Sequence, residues 1–168
     1  RQMCIRDRLV SLSGLHAKEV VEKKNIDSFT CMGWGANSCK PHQIVVTIYI
    51  SAGLLKQPLV ILQHGSGGVS SAVTAKIPIL LQQEYAVVVI DAFSSRGISK
   101  SHFDYDKTAQ QGGNARTMAI DALSVLQAFA NDERIDVSNA AIVGFSQGGL
   151  VGYWLKSKNF IDLSLIHI

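Results

Sequence analysis

Gly144-Phe145-Ser146-Gln147-Gly148 is the stretch that decides the fold. It lies between an apolar run over residues 140–145, which suits a buried strand, and a segment over residues 148–155 that suits a helix. A G-x-S-x-G sequence in this position is typical of a nucleophile elbow, a sharp turn that raises the serine hydroxyl above a sheet. The flanking glycines fit because so sharp a turn leaves no room for side chains. We predict that Ser146 is a catalytic nucleophile; an ordinary tight turn is the alternative.

A second glycine-rich motif, residues 64–68 (His-Gly-Ser-Gly-Gly), lies upstream and ends another apolar run. In enzymes that use such an elbow, this position completes the oxyanion hole, because small residues let a backbone N–H point at the developing charge. We predict the amides of Ser66 and Gln147 as the two donors, with Gly67 as the alternative to Ser66. His64 precedes the nucleophile in the chain, so we interpret it as a hydrogen-bonded strand-end residue rather than the catalytic base.

From residue 58 onward, apolar strand-length runs alternate with helical patterns, which is the signature of βαβ units and a parallel sheet. Strands are predicted over 59–63, 85–90 and 140–145, and helices up to residue 83 and over 115–130. Upstream, residues 44–51 read as a strand, a strand near 29–34 would give an antiparallel entry, and charged residues from Lys18 to Lys24 suggest a short amphipathic helix. The fold class is therefore α/β, with a doubly wound, mostly parallel sheet.

Composition and charge indicate one soluble globular domain. The 168 residues are 47% hydrophobic and 17% charged, and no apolar run approaches the ~18 residues of a membrane span. Residues 1–8 and 163–168 resemble translated sequencing-adaptor read-through, so we predict a domain over 9–162 and leave the compartment open. Without residues 1–8 the net charge falls from +3 to +1, which gives no indication of nucleic-acid binding.

Several other residues invite chemical interpretations. Arg96 follows the 85–90 strand, where open α/β sheets bind ligands, and it either grips a substrate carboxylate or pairs with Asp91 or Asp104. Asp121 is placed on a solvated helix face. Cys31 and Cys39 either form a disulfide or remain two small thiols near a hairpin, which is the interpretation we favour; they have no metal-ligand spacing.

A dinucleotide-binding fold is a competing interpretation of the same region. Gly65-Ser66-Gly67 follows a predicted strand, and Asp91 ends the next one at about the distance of a ribose-binding acid, some 20 residues or a little more. The fingerprint, however, needs a third glycine where this chain has Ser70, and it leaves the elbow unexplained.

Taken together, residues 60–68, 85–97 and 134–149 resemble the dienelactone hydrolase family of α/β-hydrolases, over about residues 58–157. The resemblance implies an eight-stranded, mostly parallel sheet of which the first five strands are present. It also implies hydrolysis of a small-molecule ester or lactone through an acyl-enzyme, without metal or organic cofactor. The namesake enzymes have a cysteine at the place of Ser146, so the chain is similar to a serine-bearing branch.

The family's acid and histidine have no counterpart in this sequence. They follow the nucleophile in chain order, and Asp162 and His167 are too close together to supply two further strand ends. We therefore expect a C-terminally truncated, inactive fragment with an exposed strand edge and poor solubility. A peptidase or acyltransferase with the same elbow, and a non-catalytic binding protein, are the alternatives.

Overall fold

The computed structural model describes residues 19–32, 39–54, 56–98 and 111–156, which form a five-stranded sheet with helices on both faces. The strands are β1 (Glu19–Cys31), β2 (Cys39–Ser51), β3 (Gln57–Gln63), β4 (Ala86–Asp91) and β5 (Ile135–Gly144). The helices are α1 (Ser71–Thr74), α2 (Ile77–Gln82), α3 (Ala115–Ala128) and α4 (Gly149–Lys156), and single 3₁₀ turns span Ser94–Arg96 and Ser146–Gly148.

The sheet is mixed, with the order β1-β2-β4-β3-β5. β1 pairs antiparallel with β2, and β2 antiparallel with β4, whereas β3 runs parallel to both β4 and β5. In register, Gln63 lies opposite Ile90 on one side and Gly144 on the other. The carboxyl ends of the three parallel strands therefore meet at one edge, and the predicted α/β class with its antiparallel entry is confirmed.

The central strands are buried on both faces, which explains their continuous apolar runs. Along β3 and β4, alternate side chains contribute to two separate cores. Leu59, Ile61, Val88 and Ile90 pack with α3 and α4, while Val60, Leu62, Val87 and Val89 pack with α1 and α2. Helices thus cover the sheet from both sides, as a doubly wound arrangement requires.

The amphipathic helix predicted around Lys18–Lys24 is wrong from residue 19 onward, because those residues belong to β1; Lys18 lies outside the described residues. β1 pairs along its whole length with β2, from Glu19 opposite Ser51 to Cys31 opposite Cys39. Its side chains alternate between exposed and more buried positions, which is the period of a strand. The charges that resembled a helix face are distributed over both faces of this strand.

The helix predicted over residues 115–130 is confirmed as α3, although it ends at Ala128. Asn114 caps it: the side-chain oxygen accepts a hydrogen bond from the Thr117 amide at 2.9 Å. Pro78 lies in the first turn of α2, where its missing N–H costs no helical hydrogen bond.

Cys31 and Cys39 form a disulfide, so the favoured interpretation of two unpaired thiols is corrected. The two residues are directly opposed at the last β1–β2 pair, and this register brings their side chains together. The sequence shows the two cysteines but not the register, which is fixed by the length over which the two strands pair.

β5 lies at the edge of the sheet, and apolar side chains near it are exposed. Val143 on β5 is 39% exposed, and Leu150 and Tyr153 on α4 are 54% and 76% exposed. An exposed strand edge was predicted; the poor solubility inferred from it stays a prediction. Within the described ranges, no helix combines the length and the apolar character that crossing a membrane requires.

Arg134, which directly precedes β5, connects β1 to the turn after α3. Its guanidinium donates to Glu22 at 2.6 Å and to Asp132 at 2.7 Å. Hydrogen bonds from Arg134 are the main reason that the pKa of Asp132 is lowered from 3.8 to about 2. The folded state therefore binds this proton less readily than the unfolded chain does.

We expect the stability contributed by Asp132 to be present above about pH 4 and to be lost as the pH falls toward 2. The pKa difference corresponds to at most about 2 kcal/mol of stability. Solvent reduces this contribution further, because the Arg134 side chain is partly exposed. Asp132→Asn should therefore flatten the pH dependence of urea unfolding in this range. Glu133→Gln, which neutralises the adjacent exposed carboxylate, is the control. An unchanged pH dependence in Asp132→Asn would contradict the assignment.

Candidate active site

Ser146 occupies a strained turn between β5 and α4. Its φ is +52°, in the left-handed region that serine rarely adopts, and its side chain is exposed. Backbone hydrogen bonds hold the turn on both sides: the Phe145 amide donates to Gln63 O at 3.0 Å, and the Gly148 amide donates to Phe145 O at 2.9 Å. The strand, sharp turn and helix predicted around the G-x-S-x-G sequence are all present.

The two glycines of this motif are required by close backbone contacts. A Cβ at Gly144 would overlap Gly148 O and lie 2.6 Å from Gly149 N. A Cβ at Gly148 would lie 2.5 Å from Gln63 O and 2.6 Å from His64 O. Both glycines therefore serve the packing of the turn, against itself at Gly144 and against the end of β3 at Gly148.

The second motif reaches the same place. A Cβ at Gly65 would lie 2.7 Å from Phe145 O and 3.0 Å from Ser146 Cβ, so the two loops touch backbone to backbone. A cavity of about 480 Å³ opens beside this contact. It is lined by Ser66, Gly113, Asn114, Ala115, Ser146, Gln147 and Leu150.

The cavity thus brings together the predicted nucleophile and both predicted oxyanion donors, and its lining includes Ser66 rather than Gly67. Within the described ranges, the backbone amides of Ser66 and Gln147 donate no hydrogen bond to another protein group. Two unpaired N–H groups beside an exposed serine hydroxyl can receive an oxyanion.

His64 is buried beneath this site and its ring nitrogens are both engaged. The Ala92 amide donates to Nε2 at 3.1 Å, and Nδ1 lies 2.6 Å from Gly65 O. An acceptor at Nε2 places the proton on Nδ1, which donates to the Gly65 carbonyl. The ring also packs edge-on against Phe93. This geometry fits the predicted orienting role and leaves no free nitrogen to serve as a base.

The side chain of Gln147 forms a contact that sequence reasoning missed. Its Nε2 donates to Gly113 O at 2.8 Å, which fastens the elbow to the loop before α3, while its Oε1 is buried without a partner among the described residues. Gly113, Asn114 and Ala115 form one wall of the cavity. The polar, glycine-bearing sequence over residues 98–113 predicts a long loop at the rim of the site, but it does not identify Gln147 as its partner.

Arg96 is not a surface group that awaits a substrate, and this expectation is corrected. Its side chain is 1% exposed, and its two terminal guanidinium nitrogens donate to the two carboxylate oxygens of Asp121, each at 2.8 Å. Thr30 Oγ1, Phe29 O and Ala92 O accept its remaining hydrogen bonds. The pairing partner is therefore not Asp91, and Asp104, the other predicted partner, lies outside the described residues.

Asp121 is correspondingly fully buried, so its predicted place on a solvated helix face is wrong. The Ser28 hydroxyl donates to it at 2.6 Å in addition to Arg96. This face of α3 is covered by the carboxyl-terminal half of β1, which supplies a polar partner where sequence periodicity suggested water.

Asp91 has a local task that weakens the dinucleotide interpretation. It accepts hydrogen bonds from the Phe93 and Ser94 amides and from the Ser94 hydroxyl at 2.6 Å. Burial raises its pKa, but these bonds outweigh burial and lower it overall. The carboxylate therefore caps the turn after β4 and is occupied where a ribose would need it.

Asp162 and His167, which we had rejected as triad members, lie outside the described residues. Among the residues that are described, no cluster of three histidine, cysteine or carboxylate side chains is arranged to hold a metal ion.

No protein-family model matches the sequence, and none of the curated proteins matches it either. Solved structures do. A putative dienelactone hydrolase from Klebsiella pneumoniae subsp. pneumoniae matches with a TM-score of 0.56 and 16% identity, over 81% of this chain and 54% of that one. A dienelactone hydrolase-like promiscuous phosphotriesterase from metagenomic libraries matches with a TM-score of 0.51 and 18% identity, over 78% and 52%.

A Pyrobaculum calidifontis esterase matches with a TM-score of 0.50 and 17% identity, over 80% of this chain and 38% of the esterase. The chain therefore spans about half the length, or less, of the structures it matches. At this level of identity the likeness shows the fold alone.

We expect Gly144→Ala and Gly148→Ala each to destabilise the protein by about 2 kcal/mol or more, because backbone atoms cannot move aside for the added Cβ. Gly152→Ala is the matched control: it lies on α4 with nothing within 4 Å of an added Cβ. There, alanine should be neutral or stabilise the helix by up to about 1 kcal/mol. Urea unfolding of the three variants tests this, and equal stabilities would contradict the steric explanation.

The buried pair offers a second test. Asp121→Leu and Arg96→Met should each cost about 3 kcal/mol or more, because each leaves one charge buried without its partner. The double variant should recover a substantial part of this loss, as the cost of an unpaired charge disappears. Denaturant unfolding of all four proteins measures the coupling free energy. Additive losses would show that the two side chains do not act as a pair.

Proposed function

We propose, from the α/β-hydrolase fold that this chain shares with the solved structures it matches, that the protein is a serine hydrolase of carboxylic esters or lactones. The reaction would pass through an acyl-enzyme on Ser146, which forms as the ester C–O bond breaks and the alcohol leaves, and which water then hydrolyses to release the acid and regenerate the serine. Because the chain spans about half the length of its structural neighbours, the proposal concerns the whole protein.

The observation that carries the proposal is the backbone at Ser146. A φ of +52° at a non-glycine residue is unfavourable, and such strain persists where the surroundings enforce it, most often at functional sites. Here it lifts an exposed hydroxyl into a cavity, which is the position that a nucleophile needs. A serine in an ordinary turn needs neither the strain nor the cavity.

In the proposed mechanism, the Ser146 hydroxyl attacks the ester carbonyl and the carbonyl oxygen gains negative charge. The amides of Ser66 and Gln147 would donate hydrogen bonds to this oxygen, since both line the cavity and both are unpaired among the described residues. One such donor contributes about 3 kcal/mol of transition-state stabilisation in comparable sites.

A general base must take the proton from Ser146. His64 does not suit this role, because its Nε2 accepts from Ala92 and its Nδ1 donates to Gly65. We propose that the base, a histidine, and the acid that orients it lie outside the described residues. Neither a metal nor an organic cofactor enters the proposed reaction.

The full-length protein should hydrolyse a p-nitrophenyl ester, and Ser146→Ala should lower kcat/KM by at least about 10³-fold, because the nucleophile is lost. Ser71→Ala is the matched control, an exposed serine at the start of α1. Spectrophotometric initial rates measure both variants.

Three results discriminate the alternatives. Equal rates for wild type and Ser146→Ala would exclude Ser146 as the nucleophile. Faster cleavage of a matched amide than of the ester would favour a peptidase. An absence of any turnover, together with tight binding of the ester, would favour a binding protein.

A further inference from the structure

We propose that the Cys31–Cys39 disulfide positions the oxyanion side of the cavity through a continuous hydrogen-bonded path. The path runs from the last pair of β1 and β2, through Asn114 and Thr117 at the start of α3, to Gly113 and the Gln147 side chain. Asn114 and Thr117 are thus positioning residues. The role of Gln147 as an oxyanion donor rests on the proposed function.

The path begins at the main chain of Cys31. The disulfide fixes this residue to Cys39 at the end of the β1–β2 ladder where the chain passes from one strand to the next, and Cys31 is fully buried. Its backbone groups point away from β2: the amide donates to Thr117 Oγ1 at 3.2 Å, and the carbonyl accepts from Thr117 Oγ1 at 3.2 Å. The Thr117 hydroxyl on α3 is therefore hydrogen-bonded to both backbone groups of Cys31.

Asn114 provides the second connection to the same residue. Its Nδ2 donates to Cys31 O at 2.9 Å, while its Oδ1 accepts from the Thr117 amide at 2.9 Å. One side chain thereby caps α3 and docks that helix on the end of β1. Because Asn114 itself lines the cavity, this contact sets where the wall stands.

The last step crosses from the wall to the elbow. Gly113 precedes Asn114, and its carbonyl accepts from Gln147 Nε2 at 2.8 Å. The Gln147 backbone follows Ser146 directly and carries one proposed oxyanion amide. A displacement of Gly113 would therefore shift Gln147, the residue next to the predicted nucleophile, because the tightly packed turn cannot absorb the movement elsewhere.

A parallel anchor holds the same loop from below. Gly112 adopts a φ of +82° and packs against Thr30 and the Arg96 side chain. Arg96 in turn donates to Thr30 Oγ1 at 2.9 Å. Thr30 and Cys31, adjacent residues at the end of β1, thus support adjacent residues of the cavity wall.

Hydrogen–deuterium exchange of the full-length protein, followed by mass spectrometry, tests the path without any substrate. Cys39→Ser removes the disulfide and keeps the Cys31 main chain. Thr117→Val removes the hydroxyl with the disulfide intact, and Thr117→Ser restores it. Val73→Ala, in the core on the opposite face of the sheet, is the control for a general loss of stability.

We expect Cys39→Ser and Thr117→Val each to raise exchange about tenfold in two segments, residues 112–119 and 144–149, with β3 and β4 unchanged. Thr117→Ser should behave as the wild type. Val73→Ala should raise exchange without selecting these two segments.

Increased exchange in β1 and β2 alone would make the disulfide a simple hairpin crosslink and overturn the proposal. The same holds if segment 112–119 responds and 144–149 does not, or if Thr117→Ser fails to rescue. These outcomes do not depend on catalysis, so an inactive Ser146 would leave them interpretable.

Discussion

Direct backbone contact between two neighbouring loops is the constraint on which this structure depends. Gly148 lies beneath the carbonyls of Gln63 and His64, and Gly65 lies against Ser146, with no side chain between them. These contacts are possible because β3 and β5 are parallel and in register, so their carboxyl ends finish at the same level. The site is therefore a product of sheet topology: two short glycine-rich loops follow adjacent strands that end at the same level, and this brings the loops into contact.

A second constraint comes from charge in the interior. Arg96 and Asp121 are nearly inaccessible to water, and hydrogen bonds to β1 and to the turn after β4 offset only part of the cost of their desolvation. Burial outweighs these bonds at Asp121 and raises the pKa of its carboxyl. Such a pair contributes little net stability, but it allows only one relative placement of the elements that it joins. Here these elements are β1, α3 and the turn after β4. The pair thereby attaches the antiparallel hairpin to the edge of the sheet that carries the candidate site.

Sequence reasoning succeeded where the determinants are local. Glycine spacing or apolar periodicity within a window of about fifteen residues is enough to predict the elbow, the three parallel strands and α3. It failed where partners are distant: Asp121 is bonded to Ser28, 93 positions away, and to Arg96, 25 positions away. β1 was misread because its charges recur at helical spacing, and only its long pairing with β2 decides the matter. The convergence of Ser66, Ser146 and Gln147 on one cavity follows from motif order, but their chemical roles stay predictions.

The left-handed backbone at Ser146 also has an evolutionary consequence. A glycine would adopt this φ without strain. Serine at this position therefore keeps a hydroxyl at the cost of backbone strain. Replacement of Ser146 by glycine would remove this backbone strain, a gain that glycine does not bring at most positions. Where selection for the hydroxyl is relaxed, we therefore expect Ser146 to be replaced by glycine early, because the substitution relieves backbone strain.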